Sequence, residues 1–125
     1  MPTVNIFYKD LGQQKDVGRQ LMSNSLKDDL KKFIAQELTC NDIKLKPEEV
    51  SIRLVNVSGE GMIGDVEIEI TAHSFKDRVE RQDQICLNIA KYLQKKDALF
   101  GEVRVWLILA ELGHSWESAQ FGKGG

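Results

Sequence analysis

The spacing of hydrophobic positions changes along the chain, and each change marks an element. Val4, Ile6 and Tyr8 recur at the two-residue period of a strand. A polar stretch around Gly12 to Gly18 follows. Leu26, Leu30, Phe33, Ile34 and Leu38 then recur at helical spacing, with Lys27, Asp28, Asp29, Lys31 and Lys32 on the solvated face. Pro47 precedes a second strand, with Val50, Ile52 and Leu54 on one face and Ser51, Arg53, Val55 and Val57 on the other. Ser58-Gly59-Glu60-Gly61 has the composition of a turn. Val66, Ile68 and Ile70 alternate with Asp65, Glu67, Glu69 and Thr71, a strand with one wet face. Val79, Ile85, Cys86, Ile89, Ala90 and Leu93 form a second helical stripe, and Gly101 leads into a strand from Glu102 to Leu109.

The order is β-α-β followed by β-α-β, and the halves echo each other. Ser51-Ile52-Arg53-Leu54-Val55 matches Glu102-Val103-Arg104-Val105-Trp106 in hydrophobic register, with an arginine at the same place. This predicts an α+β fold of one domain over residues 1–125, with pseudo-repeats at about 1–60 and 61–125. Duplicated β-α-β units would form a four-stranded mixed sheet with two helices on one face. A ferredoxin-like sandwich has the same element order, and order alone does not separate the two. The last strand has Trp106 and Ile108 on one face and Val105, Leu107 and Leu109 on the other, so it needs cover on both. Helices can cover one face; a neighbouring subunit is the expected cover for the other.

Composition narrows the function classes. Lys+Arg 17 against Asp+Glu 19 leaves no basic excess, against a nucleic-acid partner. The longest apolar run, Val105 to Ala110, is far too short to span a membrane, and no signal-peptide pattern is expected at the start. Cys40 and Cys86 lack a metal or redox spacing, and Cys86 falls in a helical stripe as a small hydrophobe. A reducing, cytoplasmic location is the corresponding expectation. His73 and His114 are the only histidines, and no carboxylate cluster has metal-ligand spacing. The terminal Gly122-Lys123-Gly124-Gly125 follows no strand–helix context and is not a phosphate loop, so no cofactor is implied.

Pro2 is the sharpest chemical candidate. With Met1 removed it presents a secondary amine at the start of a strand, and an α-amino group has a reference pKa of about 7.7–8.0. Apolar walls and nearby cations both disfavour its protonated form, which would make it a general base. With Met1 retained the same nitrogen is a tertiary amide without useful basicity. Arg104 and Trp106 share a strand face, while Lys76 and Arg78 stand where the third strand leaves the sheet. Guanidinium groups bind carboxylates bidentately, although each of these residues could equally serve in a surface or intersubunit ion pair. His73-Ser74-Phe75 lies at the same strand exit, either as a structural segment or as part of a site.

Together these residues resemble the tautomerase superfamily, the group of 4-oxalocrotonate tautomerase, 5-carboxymethyl-2-hydroxymuconate isomerase and macrophage migration inhibitory factor. The similarity covers nearly the whole chain. It rests on Met1-Pro2 leading into a strand, the duplicated unit, Ser51-Ile52-Arg53-Leu54, Val103-Arg104-Val105, Phe75-Lys76-Asp77-Arg78 and the tail from Glu111 to Gly125. The resemblance implies a homotrimer and a cofactor-free keto–enol tautomerase or isomerase acting on a small anionic keto or enol carboxylate. It implies Pro2 as the base, with Arg78 and Lys76 facing a substrate carboxylate and His73, Ser74 and Phe75 lining the pocket. Arg104 and Trp106 would reach in from the neighbouring subunit. Lys46 would approach the proline, and Phe121 and Trp116 would supply apolar wall. Three departures stand out. Gly64-Asp65 occupies the place of a duplicated proline, an arginine at 104 replaces a tyrosine, and no acidic residue is evidently placed to activate water, which disfavours dehalogenase or decarboxylase chemistry. A binding or signalling module on the same fold is the alternative.

Overall fold

Two parallel β-α-β units meet back to back through the antiparallel pairing of their first strands. A computed structural model describes residues 2–9, 16–41, 43–57, 64–96 and 100–111. In the first unit β1 (Thr3–Tyr8) is followed by α1 (Asp16–Met22), α2 (Asn24–Leu38) and β2 (Ser51–Asn56). In the second, β3 (Val66–His73) is followed by α3 (Lys76–Glu80), α4 (Gln82–Lys96) and β4 (Val103–Ala110). The sheet order is β2-β1-β3-β4; β1 is parallel to β2, β3 is parallel to β4, and β1 and β3 are antiparallel. Each helical connection thus joins adjacent parallel strands. A split arrangement would place another strand between them, so the ferredoxin-like alternative does not apply.

The repeat equates Ile52 with Val103. Ile52 lies opposite Val4, and Val103 lies opposite Val66. Counting back two residues from Val4 and Val66 equates Pro2 with Gly64, so the second unit has a glycine where the first has its proline. Gly64 adopts a φ of 83°, and Gly101, at the start of β4, a φ of 62°. A side chain is strained in that region, and at Gly101 a Cβ would also collide with the Asp65 carboxylate. That carboxylate accepts a hydrogen bond from the Glu102 N–H at 2.8 Å, which ties the start of β4 to the start of β3.

One face of the sheet carries the core. Val4, Ile6 and Tyr8 of β1, Val66, Ile68, Ile70 and Ala72 of β3, and Val103 and Leu107 of β4 are buried. They cluster with Leu30, Ile34 and Leu38 of α2 and Ile85, Ile89 and Leu93 of α4. On the opposite face Trp106 is 53% exposed, Ile108 46% and Val55 38%. The two-sided apolar character of β4 therefore leaves one apolar side uncovered within a single chain.

Two local expectations are corrected. The polar stretch ends earlier than Gly18, because α1 starts at Asp16 and buries Val17 and Leu21. Val79 does not continue the second helical stripe and is 50% exposed. The helix is interrupted at Arg81, whose ψ of 11° resets the phase between α3 and α4. A stripe counted through that break assigns Val79 to the wrong face.

Candidate active site

The parallel pairing of β1 and β2 brings Pro2 beside the turn that precedes β2. The Ser51 N–H donates to the Pro2 carbonyl at 3.1 Å, and Pro2 is buried. Pro47 begins a single 3-10 turn over Pro47–Glu49, where its fixed φ suits a first helical position. The Glu49 carboxylate reaches back to accept the Lys46 N–H at 3.2 Å. On the other side β3 ends at His73, and the chain turns through Ser74 and Phe75 into α3. The Ser74 N–H donates to the Ala110 carbonyl at 3.0 Å, which keeps this exit attached to β4.

Between these two segments lies a cavity of about 300 Å³ lined by Pro2, Ile43, Leu45, Glu49, His73, Phe75 and Arg78. Arg78 is its most constrained member. The side chain is 2% exposed, the only polar or charged residue buried to that degree among those described. Its Nε donates to the Leu38 carbonyl at 2.9 Å, and its Nη1 to the His73 carbonyl at 2.9 Å. The guanidinium carbon stands 4.9 Å from the centre of the Phe75 ring. Arg78 thus ties the C-terminal end of α2, where carbonyls have no helical partner, to the end of β3. Burial pushes the guanidinium pKa down, a shift that Cys40 and Asp77 oppose and Arg81 reinforces. Arginine remains a cation through such a shift. Beside it, Arg81 donates to the Glu37 and Thr39 carbonyls at 3.2 and 3.3 Å and pairs with Asp77 at 2.8 Å.

His73 sits at the cavity wall with its ring 4.8 Å from Phe75 and its Nε2 3.7 Å from the Glu111 carboxylate. Of the residues singled out in the sequence, Pro2, His73, Phe75 and Arg78 come together here. Ser74 is adjacent but does not line the cavity. The side chain of Lys76 is 90% exposed and 3.9 Å from Glu80, and Lys76 does not line the cavity. Lys46 is exposed and takes part through its backbone N–H rather than its ammonium. Arg104 and Trp106 lie on the outer sheet face, paired in register with Glu67 and Glu69, toward the end of β3 remote from His73. Arg104 binds Glu102 at 2.9 Å. Within one chain neither reaches the cavity. Phe121, Trp116 and His114 lie outside the described residues.

Glu49, Ile43 and Leu45 were not anticipated. Glu49 also bears on the expectation that no acidic residue is evidently placed to activate water, since it lines the cavity with Pro2. Its signal in the sequence was indirect: with Ser51 opposite Thr3, the residues before Ser51 must flank Pro2. Among the described residues no group of three or more His, Cys, Asp or Glu side chains could hold a metal ion. No described helix is long and apolar enough to cross a membrane.

No family model matches the sequence, and no curated protein matches it. Several solved structures do match the fold. A macrophage migration inhibitory factor-like protein from Entamoeba histolytica superposes with a TM-score of 0.55 at 15% identity, covering 94% of this chain and 95% of that one. N1, a member of the cis-3-chloroacrylic acid dehalogenase family, gives 0.55 at 11% identity, with 97% and 81% covered. A 5-carboxymethyl-2-hydroxymuconate delta-isomerase gives 0.54 at 12% identity, with 98% and 89% covered. The chain has the fold of these three proteins, as the sequence resemblance implied.

Proposed function

We propose that this chain is a cofactor-free tautomerase or isomerase that interconverts keto and enol forms of a small carboxylic acid, with the Pro2 amine as general base. The observation that carries the reading is the meeting of Pro2 with Arg78 in one largely apolar cavity. Once Met1 is removed, apolar walls disfavour the protonated amine, while the charges of Arg78 and Glu49 in the same lining oppose each other. Pro2 then takes a proton from the carbon next to the substrate carbonyl and returns it elsewhere on the conjugated system, leaving the enzyme unchanged. Arg78 uses one N–H of Nε and one of Nη1 on backbone carbonyls, so three of its five N–H groups remain to offer a carboxylate or developing enolate charge.

The proposed active form is a homotrimer. Exposed Trp106, Ile108 and Val55 support burial of the outer sheet face between subunits. Such an assembly would let Arg104 and Trp106 serve a neighbouring subunit's site. A soluble cytoplasmic enzyme without nucleic-acid or membrane partners completes the proposal.

The test is ketonisation of phenylenolpyruvate by protein whose free N-terminus has been verified by intact mass, compared with Pro2→Ala. Loss of at least about a hundredfold in rate is expected for a general base. Equal rates in the two proteins eliminate Pro2 as the base. A second reading is a binding or signalling module of the migration inhibitory factor type. It is favoured by one observation, the engagement of two Arg78 nitrogens by backbone carbonyls. Retention of Met1 selects that reading.

A further inference from the structure

We propose that Glu49 sets the charge of the ligand this cavity takes, restricting it to an acid with one carboxylate and an apolar remainder and turning dicarboxylates away. The inference rests on the cavity being the substrate site, as proposed above, and it adds a specificity-determining residue. Among the charged side chains lining the cavity, Arg78 is a cation and Glu49 an anion. Among the described residues no ion pair neutralises Glu49, and its Oε2 accepts the Lys46 N–H. The other cations nearby are directed elsewhere. Arg81 is held by Asp77 and two carbonyls, Lys76 lies beside Glu80 in solvent, and the Lys46 ammonium does not line the cavity. The His73 imidazole stands 3.7 Å from the Glu111 carboxylate, which is its own acidic neighbour.

The cation and the anion cancel, so the lining offers one carboxylate a guanidinium and offers a second carboxylate only Glu49. An arginine contributed by a neighbouring subunit would face Glu49 as its counter-ion, which again leaves one guanidinium for one carboxylate. A second carboxylate would be desolvated without a partner and beside a like charge, both of which are costly. The rest of the lining, Ile43, Leu45 and Phe75, favours an alkyl or aryl end.

The experiment measures binding, not turnover, so its failure is separable from failure of the tautomerase reading. The full chain, Glu49→Gln and Glu48→Gln are titrated calorimetrically with cinnamate, a monoanion, and with muconate, a dianion. Gln keeps an oxygen for the Lys46 N–H, and Glu48 borders a separate groove with Asp28, Lys31, Lys32 and Pro47. Wild-type protein should bind cinnamate about tenfold more tightly than muconate, and Glu49→Gln should remove most of that ratio by strengthening muconate. Glu48→Gln should leave it unchanged. Muconate binding as tightly as cinnamate to wild-type protein overturns the proposal without recourse to any variant. A ratio unmoved by Glu49→Gln overturns it too, as does failure of both acids to bind. The expected preference in a protein inert toward enols supports the role of Glu49 and refutes only the catalytic reading.

Discussion

Replacing Arg78 with Met tests whether the cavity is held open by a strut. Methionine retains much of the apolar stem but removes the donors to the Leu38 and His73 carbonyls, both at 2.9 Å. A hydrogen bond to a charged group contributes about 1.5–3 kcal/mol net, so two give about 3–6 kcal/mol as a gross figure. Against this stands the desolvation that a side chain 2% exposed no longer suffers. A net loss of about 3 kcal/mol results, a large fraction of the stability of a domain this size. With an unfolding entropy of about 2.1 cal/mol/K per residue, that loss lowers the melting temperature by about 10 °C. The assay is thermal and urea unfolding followed by far-ultraviolet circular dichroism, at matched protein concentrations because assembly also stabilises. Arg78→Lys should recover part of the loss, since one ammonium can meet one carbonyl but cannot span both. A loss under about 1 kcal/mol in Arg78→Met, within the range of ordinary surface substitutions and single weak contacts, refutes the strut.

Three further outcomes are expected. The Asp77 carboxyl is held below its ordinary value of 3.8, chiefly by its hydrogen bond from Arg81. Its contribution to stability is therefore present above that value and lost as pH falls through the lower folded-state pKa. Asp77→Asn should melt below wild type at pH 7 and converge with it at strongly acid pH; a gap that persists at low pH refutes the linkage. Trp106→Arg should shift the mass measured by light scattering from an assembly toward a single chain, because it places charge on the exposed outer face; an unchanged mass removes that face from the interface. Burial pushes the Cys86 thiol up, so in Cys40→Ser protein its alkylation by iodoacetamide at pH 8 should lag behind that of a free thiol. A faster reaction refutes the burial argument.

Much of the fold was legible because the patterns that encode it are local. Val4, Ile6 and Tyr8 announce both a strand and the face it buries, and Ile85, Ile89 and Leu93 do the same for a helix. Where a pattern crossed a break, it misled: Val79 was assigned to a stripe whose phase Arg81 resets. The site was half legible. Pro2, His73, Phe75 and Arg78 stand out by residue type and position, whereas Glu49 enters only through the pairing of β2 with β1. Lys76 and Arg78, two residues apart, were equivalent as cations until the backbone turned one outward and buried the other.

By itself the sequence determined the order of the strands and main helices, the buried faces of β1 and β3, and the proline that precedes β1. These follow from periodicity and turn chemistry, which act over a few residues. Tertiary structure decided the strand order β2-β1-β3-β4, the meeting of Pro2 with Glu49 and Arg78, and the role of Arg78 as a strut. The physical reason is distance along the chain. Arg78 finds the Leu38 carbonyl across 40 residues, and no local pattern records which carbonyl a buried guanidinium will meet. Only the closed sheet, with its helices packed on one face, sets that partner.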